Sequence, residues 1–430
     1  MTDRPSRYTA VSWILLDWAA SAFSTVLITL VVAYVEKVAC ADHPWGLEPG
    51  IIWAWTVAAG MLASAVAAPF FSAWADRKRR HKTALGVSVA LGAGALFVLA
   101  GTEPSAILTV LAAVAIAHVG FDMAAIFTGS LLATITSGRM ADRLSAFGFA
   151  AGYAGGAIAL VIGTMIFGAH ESLGLTKAGG LRAAFAFTGA WWLVFTLPAA
   201  FARFDDGRGT PHAASATGEL FAFMTTMLKP VGVGGSRHLG AVLVGSMLVL
   251  GAVEIAIAQF SSVAIAEFDL DSAALVRLVL LVQAVALPGA LAIGWLSERV
   301  GRRTALAVCL AGWSLVLVLA WFIDTVAQLY ALAVLLALVL GGVQSAIRAA
   351  VAEAAPDGRA GVTFGVLQVG SKLAGALAGL AFGLLYLTSG YPRAGLAALL
   401  VQILVGWWAL CHMDGRRIDH EAIPSTSRIE

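Results

Sequence analysis

The chain has 430 residues, of which 60% are hydrophobic and only 12% charged, with a formal net charge of +2. A soluble domain carries about 25% charged residues, so 27 Lys+Arg and 25 Asp+Glu are too few to coat a soluble protein of this length. Together with a mean hydropathy of +0.88, this excludes a typical soluble enzyme, a disordered chain and a fibre, and points to a polytopic membrane protein.

In chain order, apolar segments lie at about 10–35, 51–75, 83–100, 106–133, 144–170, 183–202, 239–264, 278–297, 304–323, 325–347, 362–386 with the overlapping run 373–392, and 394–413. Each can cross roughly 30 Å of hydrocarbon as a helix. Lipid offers no hydrogen bonds to the backbone, so continuous apolarity of this length selects helices over barrel strands. Twelve transmembrane helices are expected. The first segment follows Arg4 and Arg7, but it is too long for a signal peptide and contains Asp17. It is read as the first membrane helix.

Cys40, Cys309 and Cys411 show no metal or redox spacing, and the eight histidines form no HxxH or HExxH pattern. No GxxxxGK[ST] loop for ATP is present, and no nucleophile–base set is visible. No cofactor, metal or enzymatic activity is expected.

The basic residues set an orientation. With the N-terminus inside, twenty-one of the 27 Lys+Arg fall in cytoplasmic segments and four (Lys37, Lys177, Arg182 and Arg393) outside, while Arg277 and Lys372 lie within helices. This bias predicts both termini in the cytoplasm of a bacterial-type inner membrane. It also explains the basic loops through topology and anionic lipid, with no need for nucleic acid. The expected organisation is a six-helix bundle over 1–202, a cytoplasmic linker over 203–238, a second six-helix bundle over 239–413 and a cytoplasmic tail over 414–430. Within the linker, Phe221, Met224 and Leu228 share one side of a short stretch at 217–229, which reads as a surface helix or a hydrophobic linker.

An internal repeat supports the division into six plus six. Ser72-Ala-Trp-Ala-Asp76-Arg77 leads through a basic cluster to Thr83-Ala-Leu85. Gly294-Trp-Leu-Ser-Glu298-Arg299-Val-Gly301-Arg302-Arg303 leads to Thr304-Ala-Leu306. Each copy places an acid four residues after a small residue, then a basic cluster. Asp76, Arg77, Glu298, Arg299, Arg302 and Arg303 are therefore candidate gating residues at the cytoplasmic face.

These paired loops resemble the signature of the major facilitator superfamily of secondary transporters. The second copy is the fuller match; in the first, Ser72 and the pair Lys78-Arg79 stand where glycines are usual. A narrower resemblance covers nearly the whole chain. Ser12-Trp-Ile-Leu-Leu-Asp17-Trp-Ala-Ala-Ser21-Ala-Phe23 is similar to the opening motif of the "unknown major facilitator" branch, which includes the autophagy-related fungal vacuolar amino-acid effluxer. Leu144 to Gly156, with Gly148, Gly152, Tyr153, Gly155 and Gly156, looks like its fifth-helix motif. Gly341-Gly342-Val-Gln344-Ser-Ala-Ile-Arg348 and Phe364-Gly365 to Lys372 resemble its tenth- and eleventh-helix regions, while Phe121-Asp122 stands where its fourth helix often carries Tyr-Asn. The resemblance implies an all-α fold of two six-helix bundles, with helices 1, 4, 7 and 10 lining a central cavity.

Ionisable groups inside apolar spans are costly in lipid and should face protein or water. Asp17 and Ser21 share a helical face with Ser24: either a substrate or proton site, or a structural acid. His118 and Asp122 are four residues apart and can meet on one face, as a coupled proton pair or a structural bond. Glu254 sits near the centre of the seventh segment, aligned with Ser246 and Ser261, while Gln259 is off that face and is expected to bond another helix. Gln344 and Arg348 form one four-residue stripe; Gln368 and Lys372 form another. Lys372 is either a substrate contact or a gating charge, and Arg348 reads as a gating charge. The glycine rows in the fifth and eleventh helices let neighbours approach closely.

Three functions remain open from the sequence. The leading one is a secondary transporter of a small polar substrate, acting as a monomer by alternating access; the resemblance implies export and an amino-acid-like cargo, and the ionisable groups within the spans offer a route to proton coupling. The others are an exporter of drugs or amphiphiles and a non-transporting membrane scaffold or sensor.

Overall fold

The computed structural model describes residues 5–136, 138–204, 236–354 and 360–411. The first six long helices are α1 (Arg7–Ala39), α2 (Pro49–Lys78), α3 (His81–Gly101), α4 (Ile107–Ile135), α5 (Gly138–Gly168) and α6 (Lys177–Phe201). The second six are α7 (Ser236–Phe268), α8 (Ser272–Val300), α9 (Arg302–Leu319), α10 (Val326–Ala354), α11 (Ala360–Ser389) and α12 (Pro392–Cys411). Among the described residues, 11 helices are long and apolar enough to cross a membrane, and the shorter apolar helix Arg303–Leu319 within α9 completes the expected twelve.

One apolar run is misleading. The stretch 373–392 begins inside α11 and runs past its end into a chain reversal. α11 ends at Ser389, Gly390 adopts φ +77°, and Pro392 opens α12. Hydropathy averages over a two-residue turn, whereas glycine in the left-handed region and proline at a helix start mark it. The expected surface helix at 217–229 and the tail at 414–430 lie outside the described residues, as do the side chains of Asp76, Glu298 and Arg302.

Local signals set several helix ends. Ser6, Thr176 and Asp271 accept from the backbone N–H groups of Thr9, Gly179 and Ala274, so each satisfies a donor that its helix leaves free. Lys82 Nζ donates to the Ala200 and Ala202 carbonyls at the end of α6, at 2.7 and 3.2 Å. Both repeat loops turn through a residue of positive φ. Gly301 has φ +88° and Arg79 has φ +51°. Glycine takes positive φ freely, whereas Arg79 does so at a steric cost of about 1 kcal/mol.

Within the first six helices, α1 packs on α5 and α6, α3 on α4 and α6, and α2 on α4. Within the second six, α7 packs on α11 and α12, α8 on α10, and α9 on α10 and α12. The two bundles meet chiefly through α2 against α11, with α2 against α7 and α5 against α8. Buried apolar side chains run continuously from one bundle into the other. The resulting fold is the bipartite helical fold that the resemblance implied.

The α1–α5 contact explains the glycine row. A Cβ on Gly155 would stand 2.6 Å from the Trp18 carbonyl oxygen, and one on Gly152 would stand 2.6 Å from Ser21 Oγ. Gly148 and Gly156 face Asp17 and Thr25 in the same way. Small residues on α5 therefore receive the polar stripe of α1.

Candidate functional site

Four of the sequence-selected residues converge where the bundles meet. Lys372 on α11 places Nζ 2.8 Å from Asp122 Oδ1 on α4 and 2.8 Å from Glu254 Oε2 on α7. His118 Nε2 lies 3.5 Å from Asp122 Oδ2 without completing a hydrogen bond. Asp122 and His118 are buried, whereas the Glu254 side chain is 28% exposed. The network therefore has a dry side on the first bundle and a wetter side on the second. Its charges are two carboxylates around one ammonium.

Backbone packing sets this geometry. α7 and α11 cross at Gly251 and Gly375, where a Cβ on Gly251 would stand 2.5 Å from Gly375 N and 2.8 Å from Ser371 O. Glu254 follows Gly251 by three residues and Lys372 precedes Gly375 by three, so each lies about one turn from the crossing. The close approach brings a short acid and a long amine to hydrogen-bonding distance. An isolated charge of either sign would be expensive here, and the paired arrangement removes most of that cost. The arrangement thus presents one ammonium and two carboxylates, groups of both signs that a charged ligand could engage.

A second group lies nearer the basic loops. Asp17 on α1 faces Gly148 of α5 and interacts electrostatically with Arg348 of α10. The Arg348 guanidinium sits 4.7 Å from the centre of the Phe149 ring, and solvent still reaches the residue. Ser21 packs against Gly152, and Ser24 donates to the Ser21 carbonyl on its own helix. The Asp17–Ser21 face is thus turned to α5. Gln344 is half-buried one turn from Arg348. Of the gating candidates, Arg77 and Arg303 are exposed, and Arg299 stacks over Trp295 at 4.3 Å.

The expectation for Gln259 differs from the structure. It is fully buried on α7, and neither amide atom has a hydrogen-bond partner. Helical spacing shows that it leaves the Glu254 face, but spacing carries no information about what stands opposite. The two tryptophans of the opening motif pack within the first bundle: Trp13 Nε1 donates to the Thr128 carbonyl at 2.8 Å, and Trp18 stacks on Trp191.

Sequence reasoning missed several links between the bundles. Gln283 Nε2 of α8 donates to Thr25 Oγ1 of α1 at 3.0 Å. Trp53 Nε1 of α2 donates to the Ala258 carbonyl of α7 at 2.9 Å. Lys37 binds Asp269 Oδ1 at 3.1 Å and the Leu270 carbonyl at 2.8 Å. Gln283 had a signal, as a single amide within a charge-free run. Trp53 and Lys37 had none beyond their residue type. The Trp53 and Lys37 links tie the bundles together toward the end of the molecule opposite the basic loops.

Comparison with known proteins agrees with this architecture. A family profile described as "Vacuole effluxer Atg22 like" matches residues 52–423. YxiO of Bacillus subtilis strain 168, described as an uncharacterized MFS-type transporter, is 25% identical over 401 residues, 92% of each chain. A mutant form of the nucleoside transporter NupG superposes with a TM-score of 0.70 at 14% identity, covering 94% of this chain and 100% of that one. The xylose transporter XylE from E. coli, in a partially occluded inward-open conformation, gives a TM-score of 0.67 at 14% identity, with 95% and 97% covered. At such identities the two solved structures speak to the fold alone. The family match spans most of the sequence, and the chain belongs to the vacuole effluxer Atg22-like family of the major facilitator superfamily, as a polytopic membrane transporter of that type.

Proposed function

We propose that the protein is a secondary active transporter that exports a small polar metabolite, such as an amino acid, by alternating access coupled to protons. The observation that carries this reading is Lys372 held between Asp122 and Glu254 across the bundle boundary. Rocking of the halves 1–202 and 239–413 moves Asp122 with one and Glu254 with the other. The ion network must then change partners during the cycle, and a substrate bearing both charges, or a proton, can supply the replacement. The effluxer name of the family supports the direction, and the presence of both charges in one site supports a zwitterionic cargo.

In this reading the basic loops are cytoplasmic, Asp76, Arg77, Glu298, Arg299, Arg302, Arg303 and Arg348 gate that face, and a monomer suffices. The orientation has a direct test. Single cysteines near either terminus or in the linker at 205–235, introduced after the native cysteines are removed, are expected to resist impermeant reagents in sealed cells. Reproducible labelling from outside at either terminus would reverse the topology.

The coupling reading is tested by a metabolite-flux screen in proteoliposomes, with and without an imposed pH gradient. Glu254→Gln is expected to lose gradient-driven accumulation while retaining substrate exchange, because Gln keeps hydrogen-bonding capacity but cannot titrate. Asp17→Asn and Asp122→Asn are measured alongside. Normal accumulation in all three variants would rule out carboxylate coupling.

A further inference from the structure

A second buried acid lies at the outer end, away from the basic loops. Glu36 sits in the π-helical last turn of α1, Val35–Ala39, and is 5% exposed. The Ser262 hydroxyl of α7 hydrogen-bonds the carboxyl group, and Oε1 has no partner. The start of α2 closes over it: a Cβ on Gly50 would stand 3.0 Å from Ser262 Oγ, 3.0 Å from Tyr386 Cε1 and 3.8 Å from Glu36 Oε1. Two helices of each bundle, α1 and α2 with α7 and α11, therefore converge on this carboxyl group.

The surrounding charges do not neutralise it. From its own helix end it faces Lys37 and Cys40, and from α11 it faces Tyr386, which also feels Glu48 and Glu267. Ser262 is the contact from α7, and Gly50 is the contact from α2. Lys37 is the cation among them, and its Nζ is held by Asp269 and the Leu270 carbonyl. Deeper on α7, Gln259 and Ser261 are fully buried with polar atoms unpaired. Ser261 shares the helical face of Glu254, seven residues on.

We propose that Glu36 is an outer proton-binding site, neutral while the bundles are shut at this end and exchanging its proton with the outside when they part. A charged carboxylate at this position would have one hydroxyl donor and a bare oxygen, which is costly without water. The uncharged acid needs far less solvation. Parting of α1 and α2 from α7 and α11 would hydrate the group and remove the penalty on charge. Closure at the outer end then depends on proton occupancy, independently of what the central site carries.

The test uses the full-length protein in lipid nanodiscs with Cys40, Cys309 and Cys411 replaced by Ala. Spin labels at Leu173 and Phe322, exposed positions on the first and second bundles at this end, report its opening as a distance distribution between about pH 5 and pH 9. The open population is expected to rise with pH in the parent. Glu36→Gln is expected to stay shut throughout, and Ser262→Ala to move the midpoint by about one pH unit, the scale of one hydrogen bond to a charged group. Should Glu36→Gln fail to fold, Ser262→Ala reads the same site with the acid intact. An unresponsive parent, an unmoved midpoint in Ser262→Ala or a parental pH response in Glu36→Gln would overturn the proposal. So would a response that follows sodium at constant pH, which would assign the site to that cation.

Discussion

Replacing Lys372 by Met is expected to abolish transport and to destabilise the protein by about 3–5 kcal/mol, the usual cost of stripping one partner from a buried ion pair. The substitution keeps most of the side-chain volume, so the loss is electrostatic. Asp122 and Glu254, which bind the same ammonium at 2.8 Å each, would be left facing one another with no cation between them. The double variant Lys372→Met/Glu254→Gln removes the like-charge contact and is expected to recover most of the stability while remaining inactive. Thermal unfolding followed by tryptophan fluorescence measures the first quantity, and proteoliposome flux the second. A double variant no more stable than Lys372→Met would show that repulsion between the acids is not the source of the loss.

Gly251→Ala is expected to have the next largest effect, although it adds a single methyl group. That methyl would meet Gly375 N at 2.5 Å and Ser371 O at 2.8 Å. Both are backbone atoms and cannot rotate away, so α7 and α11 must separate. Overpacking of this kind costs about 1–3 kcal/mol, more than the roughly 1 kcal/mol that Ala gains over Gly in a helix. The separation acts one turn from Glu254 and Lys372, so flux is expected to fall by about tenfold, equivalent to about 1.4 kcal/mol. Gly86→Ala supplies the control, because a Cβ there meets nothing within 4 Å. Equal flux and equal stability in the two variants would mean that the helix crossing does not position the ion pair.

Much of this architecture is legible in one dimension. Solvation in lipid acts residue by residue, and a helix satisfies its own backbone, so apolar runs alone mark the spans from 51–75 to 394–413. The misread run at 373–392 shows the limit: Gly390 and Pro392 carried the information, and a hydropathy average discards it. Composition likewise singled out Asp122, Glu254 and Lys372, because charge inside an apolar span must have a reason.

The pairing of those charges is another matter. His118 and Asp122 could be related by their four-residue spacing, since both ride on one helix. Nothing local relates Asp122 to Lys372, 250 residues away on the other bundle, or Gln283 to Thr25. Nor could spacing show that the Asp17–Ser21 face is turned toward the glycines of α5. Glu36 is the clearest case. In sequence it stands beside Lys37 just past the first apolar segment, and nothing in its neighbours singles it out. In the fold, the π-helical end of α1, Gly50 of α2 and Ser262 of α7 bury it. The sequence by itself therefore determined the membrane class, the twelve spans, the basic bias of the loops and which polar residues needed an explanation. Tertiary structure alone decided which charges meet, because partners on different helices are selected by how closely two helices can approach, and that distance depends on both surfaces at once.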